Sequence, residues 1–179
     1  MKKLLILNGS PRKKGNTAVL SEHLKNNLSN DINAEQLFLY DYALNPCTDC
    51  RACKIDDLKC ILDDGMTELY EKIDKADFII IGTPIYWFGP SAQTKLMLDR
   101  FRPYYVNKKL EGKKAALILP AGTGAPDCDL TIEMFKRSFK ALGVEFIGNV
   151  TSESYDVGDA YNDKDALQNI EKLAKLINL

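Results

Sequence analysis

The sequence predicts an α/β domain: a parallel sheet of five strands covered by helices on both faces. Two observations carry that expectation. Short apolar runs of strand length alternate along the whole chain with stripes of apolar residues spaced three or four apart. Such alternation is the pattern of right-handed strand–helix–strand crossovers, which cover both faces of a parallel sheet. In addition, 179 residues with 45% hydrophobic and 27% charged side chains suit one core, and no repeat, low-complexity tract or linker divides them. Residues 1–179 are therefore read as a single domain.

The elements follow in order. Lys3–Leu7 is a buried strand, and a helix starts near Thr17, with Asn16 as its expected N-cap and Leu20, Leu24 and Leu28 on one face. Ala34–Leu39 is a second, weaker strand. Met66, Leu69, Tyr70 and Ile73 trace the next helix. Phe78–Ile81 is an isoleucine-rich strand, closed by Thr83-Pro84 because a residue before proline prefers an extended backbone. Ser91–Arg100 is a helix and Ala115–Leu119 a fourth strand. Ile132, Phe135, Phe139 and Leu142 form a helical stripe, Val144–Val150 is the fifth strand, and Ala166, Ile170, Leu173 and Ile177 mark the closing helix.

In an open parallel sheet, ligands bind beyond the carboxyl ends of the strands, where strand order reverses. Three loops lie there, residues 8–17, 83–90 and 120–129, together with an insertion of residues 41–65. Charge excludes one class of partner: 24 basic against 25 acidic residues leave no nucleic-acid footprint. The apolar stretch after Met1-Lys2-Lys3 is too short for a secretion signal, and no run approaches the ~20 residues that span a bilayer. A cytoplasmic protein without membrane partners is expected. Reduced thiols there point clustered cysteines to metal or redox chemistry instead of structural bridges.

The first loop reads Asn8-Gly9-Ser10-Pro11-Arg12-Lys13-Lys14-Gly15-Asn16-Thr17. Its glycines permit a tight turn, and the following helix N-terminus directs N–H groups at an anion. Ser10, Asn16 and Thr17 add donors and Arg12 adds charge. The wording is neither a P-loop nor a Gly-x-Gly-x-x-Gly fingerprint, and no Cys-x5-Arg phosphatase loop is present. A loop for a terminal phosphate monoester remains.

Gly-Ser-Pro-Arg…Gly-Asn-Thr after the first strand resembles the phosphate loop of the NADPH-dependent FMN reductase family, in the flavodoxin-like superfamily. Thr83-Pro84-Ile85-Tyr86-Trp87-Phe88 resembles that family's isoalloxazine loop, and Asp99-Arg100 the pair that often ends its next helix. The resemblance implies a three-layer flavodoxin-like fold with strand order 2-1-3-4-5. It also implies non-covalent FMN, with NADPH or NADH as co-substrate, and a homodimer, with residues 102–110 a candidate interface. Ser10, Arg12, Asn16 and Thr17 would hold the phosphate. Pro84, Ile85, Tyr86 and Trp87 would frame the ring, offering apolar faces and backbone donors. Gly122 and Thr123, in the small-residue loop after the fourth strand, would lie on its open side. No nucleophile–base pair stands out: His23 falls mid-helix and Cys128 is a stray thiol, so the chemistry would belong to the flavin.

Cys47, Cys50, Cys53 and Cys60 have the spacing Cys-x2-Cys-x2-Cys-x6-Cys. Three thiolates at successive third positions can wrap one corner of a cubane cluster, which the fourth closes. Zinc usually prefers two separated knuckles; a reversible disulfide and free thiols are the other readings. Arg51, Lys54 and Lys59 would offset some thiolate charge. The run resembles the compact motif of the iron–sulfur flavoproteins, a branch of the same family, which implies a [4Fe–4S] cluster near FMN. Asp63-Asp64-Gly65-Met66 resembles the acidic turn that follows it. Two redox functions follow, with a zinc-stabilised interaction module as a third reading. The first is an NAD(P)H-dependent flavin or quinone reductase with small-molecule donors and acceptors. The second is an electron carrier that exchanges electrons with ferredoxin-like proteins.

Overall fold

The computed structural model describes residues 1–55 and 58–179; residues 56 and 57, inside the 41–65 insertion, lie outside the described residues. The chain runs β1 (Lys2–Asn8), α1 (Asn16–Asn26), β2 (Ile32–Phe38), α2 (Met66–Lys75), β3 (Phe78–Gly82), β4 (Ile85–Tyr86), β5 (Gly89–Pro90), α3 (Ala92–Asp99), α4 (Arg102–Asn107), β6 (Lys114–Ala121), α5 (Ala125–Leu142), β7 (Glu145–Glu153) and α6 (Lys164–Asn178). Five strands form a parallel sheet in the order β2-β1-β3-β6-β7. With the small antiparallel β4–β5 hairpin set aside, this is the expected order 2-1-3-4-5.

Period-two burial builds the three layers. Leu4 and Ile6 of β1, with Ile80 and Ile118, pack against Leu20 and Leu24 of α1 and Ile170, Leu173 and Ile177 of α6. Leu5 and Leu7, with Ile79, Ile81, Leu117 and Leu119, pack against Met66, Leu69 and Ile73 of α2, Met97 of α3, and Phe135 and Phe139 of α5. Adjacent residues of a strand thus serve opposite faces. Both faces are buried, so the central strands read as unbroken apolar runs in the sequence. Each fully buried aliphatic side chain contributes about 1.5–3 kcal/mol.

The boundaries differ from the sequence expectation where side chains cap or turn the chain. Asn16 is the first residue of α1, and the N-cap is Gly15, without a side-chain cap bond. Ser91 and Arg100 are the two caps of α3; Ser91 Oγ accepts from Thr94 N. The 83–90 loop contains a hairpin whose two turn residues, Trp87 and Phe88, have φ of 52° and 63°. Two-residue hairpins favour that geometry with Asn-Gly, so bulky aromatics gave no turn signal.

Ser91 also fixes the ligand edge. Its hydroxyl donates to Gly9 O at 2.6 Å, and its N–H donates to Thr83 Oγ1 at 3.0 Å. One capping residue therefore ties the first loop to the second. Gly9 is required there, since a Cβ would lie 1.8 Å from Thr94 Oγ1.

Candidate cofactor cleft and cysteine pocket

A cleft of about 310 Å³ opens at the carboxyl ends of β1, β3, β6 and β7, within the size range of small-molecule sites. Its wall brings together Ser10, Arg12, Asn16, Thr17, Pro84, Ile85, Tyr86 and Gly122 from the sequence prediction. At one end lies the uncapped start of α1. Among the described residues, the N–H groups of Asn16 and Thr17 have no protein acceptor, while Thr17 and Ser10 are buried and Arg12 is exposed. Unpartnered donors, the helix dipole and a guanidinium together fit an anion. A phosphate monoester followed by a flat ring along Pro84–Tyr86 matches this chemistry, so the residues fit FMN.

Three predicted residues have other placements. The Asn16 side chain turns away from the loop: its Nδ2 donates to Asp156 O at 2.8 Å, and its Oδ1 accepts from Gly158 N at 2.9 Å and Ala160 N at 3.4 Å. What Asn16 offers the cleft is its backbone N–H. Trp87 stands at the hairpin tip, 96% exposed, outside the cleft wall. Thr123 is also outside it, with its N–H given to Asp127 Oδ2 at 3.0 Å.

The segment after β7 supplies wall residues that sequence reasoning missed, namely Ser154, Tyr155 and Val157. Its position past the carboxyl end of the fifth strand was the available signal. The Tyr155 ring lies against Gly122, where a Cβ would come within 3.3 Å of it. The phosphate loop also meets the insertion, through Lys13 and Asp41 at 2.8 Å.

A second pocket gathers all four clustered cysteines, Cys47, Cys50, Cys53 and Cys60, with Asp99, Arg100, Arg102 and Pro103. Asp49, Arg51 and Leu58 have φ of 51°, 65° and 52°, so the segment folds back through left-handed turns. Such non-glycine turns cost about 1–3 kcal/mol each and persist where surroundings enforce them. Burial pushes the Cys53 thiol up, and Arg102 works against that shift while the Cys60 and Cys47 thiols add to it. No three of the described Cys, His, Asp or Glu side chains converge on a single ligating point.

Arg100 and Asp64 close this pocket from behind. The Arg100 side chain is 0% and that of Asp64 3% exposed, joined at 2.7 and 3.2 Å. Arg100 also donates to Asn45 O at 2.8 Å and to Cys60 Sγ at 3.4 Å. Asp64 accepts from Asn45 N at 2.8 Å and Met66 N at 3.0 Å. Burial opposes both charges, yet the shared hydrogen bonds prevail: the Asp64 carboxyl is held below, and the Arg100 guanidinium above, its ordinary pKa. Arg102 pairs with Asp49 at 2.7 Å. The Nε atoms of Arg100 and Arg102 are buried without an acceptor among the described residues. Soft donors beside unanswered cationic N–H groups fit a thiolate-held, negatively charged metal centre. Helix α4 thus flanks the cysteine segment.

This open α/β sheet, with a donor-rich first loop and an aromatic second loop at one edge, has the flavodoxin-like fold. Residues 2–152 match the NADPH-dependent FMN reductase family, and the chain belongs to it. An iron–sulfur flavoprotein of Methanocaldococcus jannaschii is 30% identical over 184 residues, covering 98% of this chain and 95% of that protein. A Bacillus subtilis protein, provisionally named an NAD(P)H-dependent FMN-containing oxidoreductase, is 30% identical, with 97% of each chain covered. Among solved structures, the Trp repressor binding protein of Bacillus subtilis superposes with a TM-score of 0.73 at 26% identity, covering 95% of this chain and 96% of that one. No helix among the described residues is long and apolar enough to cross a membrane.

Proposed function

We propose that this protein is an electron-transfer flavoprotein, with FMN in the cleft and a [4Fe–4S] cluster on Cys47, Cys50, Cys53 and Cys60. The observation that carries the reading is the gathering of all four cysteines in one pocket, with the buried Arg100 behind them. The full-length similarity to an archaeal iron–sulfur flavoprotein supports it and raises the carrier reading above the simple reductase favoured from sequence. FMN, when bound, accepts a hydride or single electrons, and an iron–sulfur cluster passes one electron at a time.

The chain's own residues hold and tune. The Asn16 and Thr17 N–H groups, with Ser10 and Arg12, would bind the phosphate; Pro84, Ile85 and Tyr86 would frame the ring, with Gly122 and Tyr155 across the cleft. Trp87 and Thr123 would act from the rim. Ferredoxin-like proteins are the proposed exchange partners, and the assembly proposed from family resemblance is a homodimer.

The second reading is an NAD(P)H-dependent flavin or quinone reductase, favoured by the Bacillus subtilis relative. Anaerobic purification followed by an absorption spectrum and analysis for FMN, iron, sulfide and zinc tests both. Four irons and four sulfides per FMN would support the carrier. FMN with rapid NAD(P)H oxidation but no iron would leave the reductase. Zinc or no flavin would sink the carrier reading, and absence of flavin would sink both.

A further inference from the structure

Arg100 is the largest fully buried side chain of the domain, and the flavin cleft does not use it. A buried guanidinium needs a reason, because a charge is retained inside a protein only where partners answer it. Here its fork spans the insertion. One nitrogen holds Asn45 O and Asp64 Oδ2, and the other holds Asp64 Oδ1 and Cys60 Sγ. Asn45 precedes the first clustered cysteine and Asp64 follows the last, so one side chain grips both ends of the segment. Its Nε has no acceptor among the described residues.

We infer that Arg100 is the positioning residue of the cysteine site: it fixes Cys60, the ligand seven positions from its nearest fellow, and favours the electron-rich state of the centre. The inference rests on the cluster reading. Cys60 lacks the local register that the Cys47–Cys50–Cys53 run enjoys, because six residues separate it from Cys53. A hydrogen bond to its sulfur restores a fixed position. Adding an electron to a thiolate-held centre adds negative charge, which a desolvated cation at 3.4 Å from a ligand sulfur stabilises. Lysine carries the charge but has no planar fork, so it cannot serve Asn45, Asp64 and Cys60 together.

The test is a spectroelectrochemical titration of anaerobically purified holoprotein, following the cluster and flavin couples in one sample. Arg100→Met combined with Asp64→Asn removes both buried charges at once and avoids leaving either alone. Cluster reduction should become about tenfold less favourable, ~59 mV for one electron, with the flavin couple unmoved. Arg100→Lys should shift it in the same direction by about a third as much on the logarithmic scale. Loss of iron with FMN retained would also support the assignment, through the loss of Cys60 positioning. A cluster couple unchanged in the double variant, at wild-type iron content, overturns it while sparing the cluster reading. A wild-type protein without iron overturns both. Should the double variant not fold, the lysine variant decides: an unchanged cluster couple refutes the role of Arg100.

Discussion

Exchanging Asn16 for aspartate separates the two tasks that the structure gives this residue. Its side chain binds the segment after β7 through one donated and two accepted hydrogen bonds, at 2.8, 2.9 and 3.4 Å. Its backbone N–H faces the proposed phosphate. Aspartate keeps both acceptor bonds but sets a carboxylate oxygen where Nδ2 donated to Asp156 O, facing one acceptor with another at a cost of ~1–3 kcal/mol. A carboxylate in the first turn of α1 regains ~0.3–1 kcal/mol from the helix dipole. The apoprotein should therefore stay within ~3 kcal/mol of wild type and remain folded. The ligand is affected differently. At ~7 Å and an effective dielectric of ~40, a unit charge pair costs ~1.2 kcal/mol. A phosphate monoester carries about −1.5 to −2 charges, so FMN should lose ~2 kcal/mol, or ~30-fold in Kd. Riboflavin lacks the phosphate and should lose less than ~threefold. Flavin fluorescence titrations of the apoprotein measure both ligands, and Asn16→Ala controls for the loop tie. Equal losses for FMN and riboflavin would refute the placement of the phosphate at this helix end.

Four further outcomes are expected. Cys50→Ser should abolish stoichiometric iron and sulfide while FMN content stays at wild-type level, as read by elemental analysis and flavin extraction. Arg100→Met alone should cost about 3–5 kcal/mol in denaturant unfolding of the apoprotein, because Asp64 is left buried and unpaired. Most of that loss should return when Asp64→Asn is added. The Asp64 carboxyl is held below its unfolded value, so its contribution to stability is complete above that value, near 3.9. It is lost as pH falls through the lower folded value, and acid unfolding curves of the paired double variant should lack this step. Trp87→Asn with Phe88→Gly should stabilise the hairpin by roughly 1–2 kcal/mol, since the new residues accept positive φ; a lowered Tm would contradict the turn assignment.

The sheet was legible because both faces of each central strand are buried, which wrote β3 and β6 as plain apolar runs in the sequence; the strand order came from the family resemblance. Capping was less so. Asn16 looked like an N-cap by residue type, but its side chain finds better partners in the backbone of residues 156–160, and Gly15 takes the cap position bare. The β4–β5 hairpin was missed because Trp87 and Phe88 occupy turn positions that ordinarily belong to asparagine and glycine. A turn held against preference needs an anchor, and Thr131 Oγ1 supplies one by donating to Phe88 O at 3.1 Å.

The contributions that sequence could not disclose share one property: they join residues far apart along the chain. Asn16 meets Asp156, Arg100 meets Asn45 and Cys60, and Tyr155 meets Gly122. Local pattern identified Gly-Ser-Pro-Arg and the cysteine run as chemistry, because each concentrates its donors within a few residues. It could not show what holds those donors in place. That work falls to side chains whose types are ambiguous in isolation: an arginine ending a helix, an asparagine beginning one, a tyrosine in a loop. Arg100 is the clearest case. Asp99-Arg100 resembles a family pair that ends a helix, and only the packing of α3, α4 and the insertion shows the arginine to be the most deeply buried cation among the described residues. In this domain, the fixed charge behind the cysteines comes from the scaffold helix, whereas Arg51, within the motif itself, is turned to Asp49 at 3.4 Å and remains mostly exposed.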